Sequence, residues 1–266
     1  MFPTRSGPLL AVREISVTFA GIAALDGVSL EVGAGEVVSL IGPNGAGKTT
    51  LFNVICGFVR PSQGTVEIGG VERRRLRPVD LAGMRVARTL QGVHLWKGLT
   101  VRENVMAGGQ SSLRAGLVSS FLGLPRSSRE ESRLESRAGA MLDRLGIAEV
   151  GGRYPEALPY GMQKRVAIAR ALMLDPVLLL LDEPASGLAA DEMAALGALL
   201  GELQSTMSVL LVEHHMDFVM AISDRIAVLN HGRMIASGTP ADVRADPQVT
   251  VAYLGEKVPG AQGEPA

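Results

Sequence analysis

The sequence contains one cysteine, Cys56, so no disulfide can form within the chain. A lone thiol also cannot build a zinc site, and the four histidines (His94, His214, His215 and His231) do not fall at zinc-ligand spacing. These shortages exclude a disulfide scaffold and a zinc module. They fit a reducing compartment.

Excess charge and long apolar runs are lacking as well. The net charge is −1 and the pI about 6.4, so the sequence does not predict electrostatic binding to nucleic acid or to anionic lipid. No apolar run approaches the ~18 residues of a membrane-spanning helix, and the start of the chain lacks the apolar run of a secretory signal. Any work at a membrane is therefore expected to go through a partner.

Hydrophobic patterning predicts an α/β fold. The first part of the chain reads as an antiparallel sheet around one central strand, with strands at 9–19, 28–32, 36–41 and 64–70. From residue 177 onward, fully apolar strands alternate with helices, which is typical of a parallel sheet covered on both faces.

The middle of the chain, from about 105 to 153, is helical in character. One apolar stripe ends at Pro125, Ser128 is a candidate N-cap for the next helix, and Gly146 is a natural C-cap. The two stripes consist of Leu113, Leu117, Phe121 and Leu124, and of Leu134, Ala138, Met141, Leu142 and Leu145. We expect a small helical subdomain here, and a disordered Pro/Gly-rich tail at 256–266.

A glycine-rich segment supplies a candidate phosphate site. "GPNGAGKTT" follows the apolar strand "EVVSLI" and precedes a helical pattern, which is the context that supports a P-loop. Its backbone N–H groups would wrap around an anion, Lys48 would reach the β- and γ-phosphates, and Thr49 would offer a hydroxyl to Mg²⁺. The expected nucleotide ligands here are Gly42, Pro43, Asn44, Gly45, Ala46, Gly47, Lys48, Thr49 and Thr50.

The apolar segment "VLLLLDEP" supplies carboxylates. It delivers Asp182 to the carboxyl end of a buried strand, where ligands bind in open α/β sheets. Asp182 would hold Mg²⁺, and Glu183 is placed to act as a general base toward water.

The order of motifs resembles the ATP-binding cassette (ABC) family, from about residue 9 to 255. "GPNGAGKT" is similar to Walker A, "LPYGMQKRVAIARAL" to the signature motif, "LLLLDEP" to Walker B and "SGLAAD" to the D-loop. The resemblance implies that Gln91, in the Q-loop, binds Mg²⁺ and senses the γ-phosphate, that His214 is the switch histidine, and that Phe19 stacks on adenine. ATP and Mg²⁺ are the implied cofactors.

The resemblance also implies the architecture. We expect a P-loop NTPase with a RecA-like parallel sheet core, an N-terminal antiparallel β subdomain and an inserted helical signature subdomain. The expected division of the single domain at 9–255 is a core at 9–103 and 173–255, and a helical part at 104–172. Cassettes of this family pair head to tail, so Tyr160, Gly161 and Met162 would contact ATP bound to a partner.

Several positions depart from the family pattern. Pro159 replaces the usual serine of the signature, Tyr160 a glycine and Met162 a glutamine. Ala189 stands at the usual aspartate of the D-loop, and His215 follows the switch histidine. If the chain pairs with a different cassette, its signature loop is the candidate weaker half of an asymmetric pair.

Within the family, "LPYGMQKR", "VEHHMDFVMAISDRIAVLN" and "VTVAYLGE" resemble the branched-chain amino acid importer ATPases. This implies a peripheral subunit on the cytoplasmic side of the inner membrane. Its partners would be a second cassette (a paralogue or itself), two permease subunits and, indirectly, a periplasmic or extracellular substrate-binding protein. Nucleic acid is not an expected partner.

Alternatives remain open at this point. They are an importer for urea or short amides, a lipopolysaccharide exporter, a soluble ABC ATPase of iron–sulfur assembly or DNA repair, and a P-loop kinase of small metabolites. Trp96, just past Gln91, is either an anchor for the permease or core filling.

Overall fold

The computed structural model describes residues 7–73, 75–89, 92–109 and 125–254. It forms two compact units, one built from 1–78 with 208–266 and the other from 79–207. The division expected from the sequence, a core at 9–103 and 173–255 and a helical part at 104–172, stays a prediction. Within the described ranges, no helix is both long and apolar enough to cross a membrane.

The elements follow one another with short connections. The strands are β1 (Leu10–Phe19), β2 (Ile22–Val32), β3 (Val37–Ile41), β4 (Gln63–Ile68), β5 (Val71–Arg73), β6 (Val86–Arg88), β7 (Leu178–Asp182), β8 (Ser208–Val212), β9 (Arg225–Asn230) and β10 (Arg233–Gly238). The helices are α1 (Lys48–Ile55), α2 (Asp80–Gly83), α3 (Val101–Gly108), α4 (Pro125–Arg144), α5 (Tyr160–Leu172), α6 (Ala190–Gln204), α7 (Met216–Ile222), α8 (Pro240–Ala245) and α9 (Pro247–Leu254).

The first unit contains the predicted antiparallel sheet, in the order β2-β1-β4-β5. Its two inner strands are β1 and β4, and Leu10 of β1 pairs with Val32 of β2 and with Ile68 of β4. The predicted strands at 9–19, 28–32 and 64–70 are therefore confirmed in this sheet. The assignment of the strand at 36–41 to it is wrong, because β3 pairs in parallel with β8 and β9. Strand β2 begins at Ile22, earlier than expected, because its first residues continue the hairpin that Phe19 and Ile22 close.

The same unit also contains the parallel strands next to β3, the strand that leads into the P-loop segment. Strand β3 pairs in parallel with β8 and with β9, and β10 closes this edge antiparallel to β9. Every residue of β3 and β8 is buried, which explains why their sequences are apolar except for Ser39 and Ser208. A buried cluster that includes Ile41, Val219 and Val243 joins β3 to α7 and α8.

The second unit combines the parallel pair β6 and β7 with the helices α2 to α6. The predicted apolar stripe of α4 is buried at Leu134, Ala138, Leu142 and Leu145, while Met141 is half-buried. Gly146 has a φ of 66°, the left-handed conformation that ends helices. The predicted stripe and C-cap are therefore confirmed.

The starts of two helices differ from expectation. Helix α4 begins at Pro125, so Ser128 lies inside it and cannot be its N-cap. Proline suits a first helical position because its fixed φ is already helical and its missing N–H is not needed there. Helix α3 begins at Val101, where Thr100 and Glu103 form a capping box. The expected stripe at 113–124 and the tail at 256–266 lie outside the described residues.

Candidate active site

The P-loop backbone adopts conformations that glycine permits. The φ angles of Gly42, Gly45 and Gly47 are 151°, 77° and 104°. A Cβ added to Gly47 would lie 2.8 Å from the carbonyl oxygen of Ala24 and 2.8 Å from a methyl carbon of Leu25. The tight packing of the loop against β2 therefore requires glycine at this position.

The loop ends in a helix that carries a cation at its first residue. Lys48 donates hydrogen bonds to the carbonyl oxygens of Gly42 at 2.6 Å and Pro43 at 2.8 Å, so its ammonium is held at the loop. The N–H of Leu51 bonds to the carbonyl of Gly47, so the first turn of α1 begins directly at the end of the loop. An exposed Thr49 adds a hydroxyl. A helix N-terminus and an ammonium together suit a phosphate chain.

An aromatic side chain is exposed at the end of β1. Phe19 is 50% exposed, and the turn after it passes through left-handed conformations at Ala20 and Gly21. A half-exposed ring at a hairpin turn offers a free π-face to a planar ligand. The exposed ring is what the predicted adenine contact requires.

In the second unit, Asp182 ends β7 and Glu183 follows in a left-handed conformation, with a φ of 48°. Such a φ is uncommon outside glycine and costs of order 1–3 kcal/mol. Both carboxylates line a cavity that also includes Thr89 and Gly92. Gln91 itself lies outside the described residues.

The signature segment enters α5 through Pro159, which makes no side-chain cap to the helix. Tyr160 is 43% exposed, and its ring packs against the backbone of Gly187 in the D-loop. Gly161 is buried, and a Cβ there would overlap the carboxylate of Glu192. The start of this helix therefore keeps its N–H groups without a serine hydroxyl or a side-chain cap.

The segment after β8 contains a carboxylate that sequence reasoning missed. Glu213 is fully buried, and its Oε2 accepts hydrogen bonds from the backbone N–H of His214 at 2.9 Å and of His215 at 3.2 Å. Nδ1 of His215 lies 3.1 Å from the same oxygen, whereas the side chain of His214 is 50% exposed. Nδ1 of His214 lies 3.8 Å from the same oxygen, so Glu213 contacts both histidines and fixes the turn, while the predicted switch histidine stays half-exposed. The only sequence signal for Glu213 was a charged residue directly after an apolar strand.

Trp96 is 52% exposed, so the reading of it as core filling is wrong. The guanidinium of Arg170 lies 5.0 Å from the centre of the indole ring and donates a hydrogen bond to the carbonyl of His94 at 2.8 Å. Burial lowers the pKa of Arg170. Buried Asn104 bonds to the backbone N–H and carbonyl of Trp96, which fixes the segment before α3.

Comparison with known proteins decides the family. The family model for the ABC transporter matches residues 25–186. The chain belongs to the ABC transporter family. A second model, for the branched-chain amino acid ATP-binding cassette transporter, matches residues 233–259.

Two similar proteins share nearly the full length of this ABC chain. One is the high-affinity branched-chain amino acid transport ATP-binding protein LivG of Salmonella typhimurium, 44% identical over 94% of this chain and 99% of its own. The other is BraF of Pseudomonas aeruginosa, which has the same descriptive name and is 41% identical over 94% of this chain and 99% of its own.

Solved structures agree with this assignment. An ABC transporter cassette in its ADP conformation superposes with a TM-score of 0.81 and 31% identity, over 94% of this chain and 100% of its own. A dimeric cassette in a post-hydrolysis state, bound to ADP and phosphate, gives a TM-score of 0.73 and 26% identity, over 87% of this chain and 98% of its own. The predicted fold class and the ATPase activity are thereby confirmed.

Proposed function

We propose that the chain is the ATP-hydrolysing motor of a binding-protein-dependent importer for branched-chain amino acids. The observation that carries this proposal is the pair of matches along its length, namely 41–44% identity to LivG and BraF over 94% of the chain and the branched-chain-specific model at 233–259. The C-terminal match supports this cargo over urea, short amides or lipopolysaccharide.

We assign the site residues as the family order of motifs implies. The loop 42–50 binds the phosphates of ATP, and Phe19 stacks on the adenine. Thr49, Gln91 and Asp182 hold Mg²⁺, which neutralises charge on the phosphates when bound. Carboxylate, amide and hydroxyl oxygens are hard ligands that suit this ion.

We assign the chemistry to Glu183, His214 and Gln91. Glu183 accepts a proton from the attacking water, and His214 faces the γ-phosphate, in keeping with its half-exposed side chain. Tyr160, Gly161 and Met162 contact the ATP of a second cassette. The open N-terminus of α5 supports this, because it offers N–H groups and a partial positive charge to an anion.

The proposed assembly contains a second cassette, two permease subunits and an external substrate-binding protein that acts through the permease. The chain would sit on the cytoplasmic face of the membrane as a peripheral subunit. We propose the exposed Trp96, supported by Arg170, as a permease contact.

The test is uptake of labelled leucine, urea and acetamide by cells that lack the natural chain and carry either wild type, Glu183→Gln or Glu135→Gln. Glu135 is an exposed carboxylate on α4 and serves as a matched control. We expect leucine uptake to disappear only with Glu183→Gln. If uptake of urea or acetamide is lost instead, the chain is a transport motor but branched-chain amino acids are not its cargo. If uptake of all three compounds is unchanged, the proposal of an importer is refuted.

A second measurement separates a cassette from a small-molecule kinase. Glu183→Gln should trap Mg²⁺-ATP and elute as a dimer in size-exclusion chromatography, since hydrolysis would otherwise separate the two cassettes. A monomer with and without ATP would contradict the cassette mechanism. If the signature loops of this chain and of its partner contribute unequally to ATP hydrolysis, Gly161→Ala and the corresponding substitution in the partner should reduce ATPase activity by different amounts.

A further inference from the structure

A buried lysine lies beneath the signature loop. Lys164 belongs to α5 and is only 9% exposed, which is rare for a lysine because burial removes water from its charge. Its ammonium donates hydrogen bonds to the carbonyl oxygens of Glu183 at 2.9 Å and Pro184 at 2.8 Å. A cation is thus bound directly to the backbone of the proposed catalytic glutamate.

These two bonds restrict the backbone where it is strained. The direction of the Glu183 carbonyl reports the ψ angle of that residue, and the ring of Pro184 fixes the next φ. Glu183 already has a φ of 48°, an unfavourable value that surrounding contacts must maintain. Charge-assisted hydrogen bonds are about twice as strong as neutral ones, so Lys164 is suited to this task.

The same cation contacts the signature segment. The ammonium of Lys164 lies 5.3 Å from the centre of the Tyr160 ring, a favourable cation–π distance. Tyr160 precedes Lys164 by one helical turn, so both side chains lie on one face of α5. Lys164 also lines two cavities, one with Gly161 and Glu192 and the other with Asp182 and Glu183.

We infer that Lys164 is a positioning residue that holds the Glu183 backbone in its left-handed conformation and thereby aims the carboxylate at water. The inference rests on the proposed role of Glu183 as general base. It assigns Lys164 no contact with ATP, because its ammonium is directed to carbonyl oxygens of its own chain. Through Tyr160, the same lysine also ties the catalytic backbone to the signature loop.

The test compares Lys164→Met with Lys164→Arg in the transporter complex purified through a tag on this chain. Methionine keeps the apolar stem and removes both hydrogen bonds, whereas arginine keeps donors and charge. We expect Lys164→Met to lower kcat about 10- to 100-fold with little change in the KM for ATP, because a misaligned base loses rate without losing binding. Lys164→Arg should recover a large part of kcat.

A control variant and a replacement variant make the result decisive. Arg133→Met removes an exposed cation from α4 and should leave kcat and the melting temperature unchanged. If Lys164→Met does not fold, Lys164→Leu, which also removes both hydrogen bonds, takes its place in the same comparison. Wild-type kcat in a folded Lys164 variant without the ammonium would overturn the inference. So would a lower melting temperature with kcat unchanged at lower temperature, since that outcome indicates structural support alone.

Glu183→Gln, measured in parallel, separates this inference from the proposed function. If Glu183→Gln keeps wild-type turnover, the role of Glu183 is wrong and the positioning role fails with it. If Glu183→Gln abolishes turnover but Lys164→Met does not lower kcat, the proposed function stands and only the positioning role is refuted.

Discussion

Two glycines of the P-loop should respond very differently to the same added methyl group. Gly45 and Gly47 both have positive φ angles, 77° and 104°, so alanine introduces backbone strain at each. A Cβ on Gly45 would have no atom within 4 Å, whereas one on Gly47 would lie 2.8 Å from the carbonyl oxygen of Ala24 and a methyl carbon of Leu25. Comparing the two separates strain from crowding.

The expected magnitudes follow from this difference. Backbone strain alone should cost Gly45→Ala about 1 kcal/mol of unfolding free energy. Gly47→Ala adds an overlap with backbone and with Leu25, which is 1% exposed and cannot move into solvent. Such overpacking typically costs about 1–3 kcal/mol, so the total should reach about 2–4 kcal/mol.

The assay is differential scanning calorimetry of the full chain without nucleotide. For a protein of this size, 1 kcal/mol corresponds to about 2–4 °C in Tm. Gly47→Ala should therefore lower Tm by about 4–16 °C and Gly45→Ala by about 2–4 °C. Equal shifts, or a larger shift for Gly45→Ala, would refute the packing of the loop against β2.

Further predictions concern the core, a charge pair and a buried amide. Leu142→Ala should cost about 3 kcal/mol of unfolding free energy in urea denaturation, because Leu142 is 1% exposed in the α4 stripe; a change below about 1 kcal/mol would contradict that packing. Burial by itself raises the pKa of Glu36. The opposing effect is larger, because Arg225 and the Gly33 N–H donate hydrogen bonds to the carboxylate and Arg225 adds a positive charge, so the pKa of Glu36 is lowered overall. Since the native state favours the charged carboxylate, Glu36→Gln should destabilise at about pH 7 by about 1 kcal/mol, and the difference should shrink as the pH falls through the lowered pKa; a pH-independent difference would refute this. Asn104→Ala should destabilise by about 2–3 kcal/mol because it strands the backbone groups of 96–100 that Asn104 satisfies, whereas an unchanged Tm would show that water replaces them.

Local patterns predicted much of this fold correctly. The strand, glycine loop and helix at 36–55 lie within one short segment, so spacing alone specifies them. The fully buried strand β8 was recognisable because a strand covered on both faces is mostly apolar, whereas the equally apolar β3 was wrongly grouped with the antiparallel sheet. The predicted start of α4 was wrong because a proline such as Pro125 can either end one helix or begin the next.

The sequence by itself determined the order of motifs, and with it the family, because these motifs are contiguous and need no knowledge of distant contacts. Tertiary structure decided what surrounds them. The burial of Lys164, the left-handed backbone of Glu183 and the contacts of the Glu213 carboxylate with His214 and His215 became visible only in the folded chain. For Lys164 and Glu183, the reason is that the lysine and its two carbonyl acceptors are separated by 19 and 20 residues in the sequence. Every residue has a backbone carbonyl, so a hydrogen bond to a distant one cannot be predicted from the sequence.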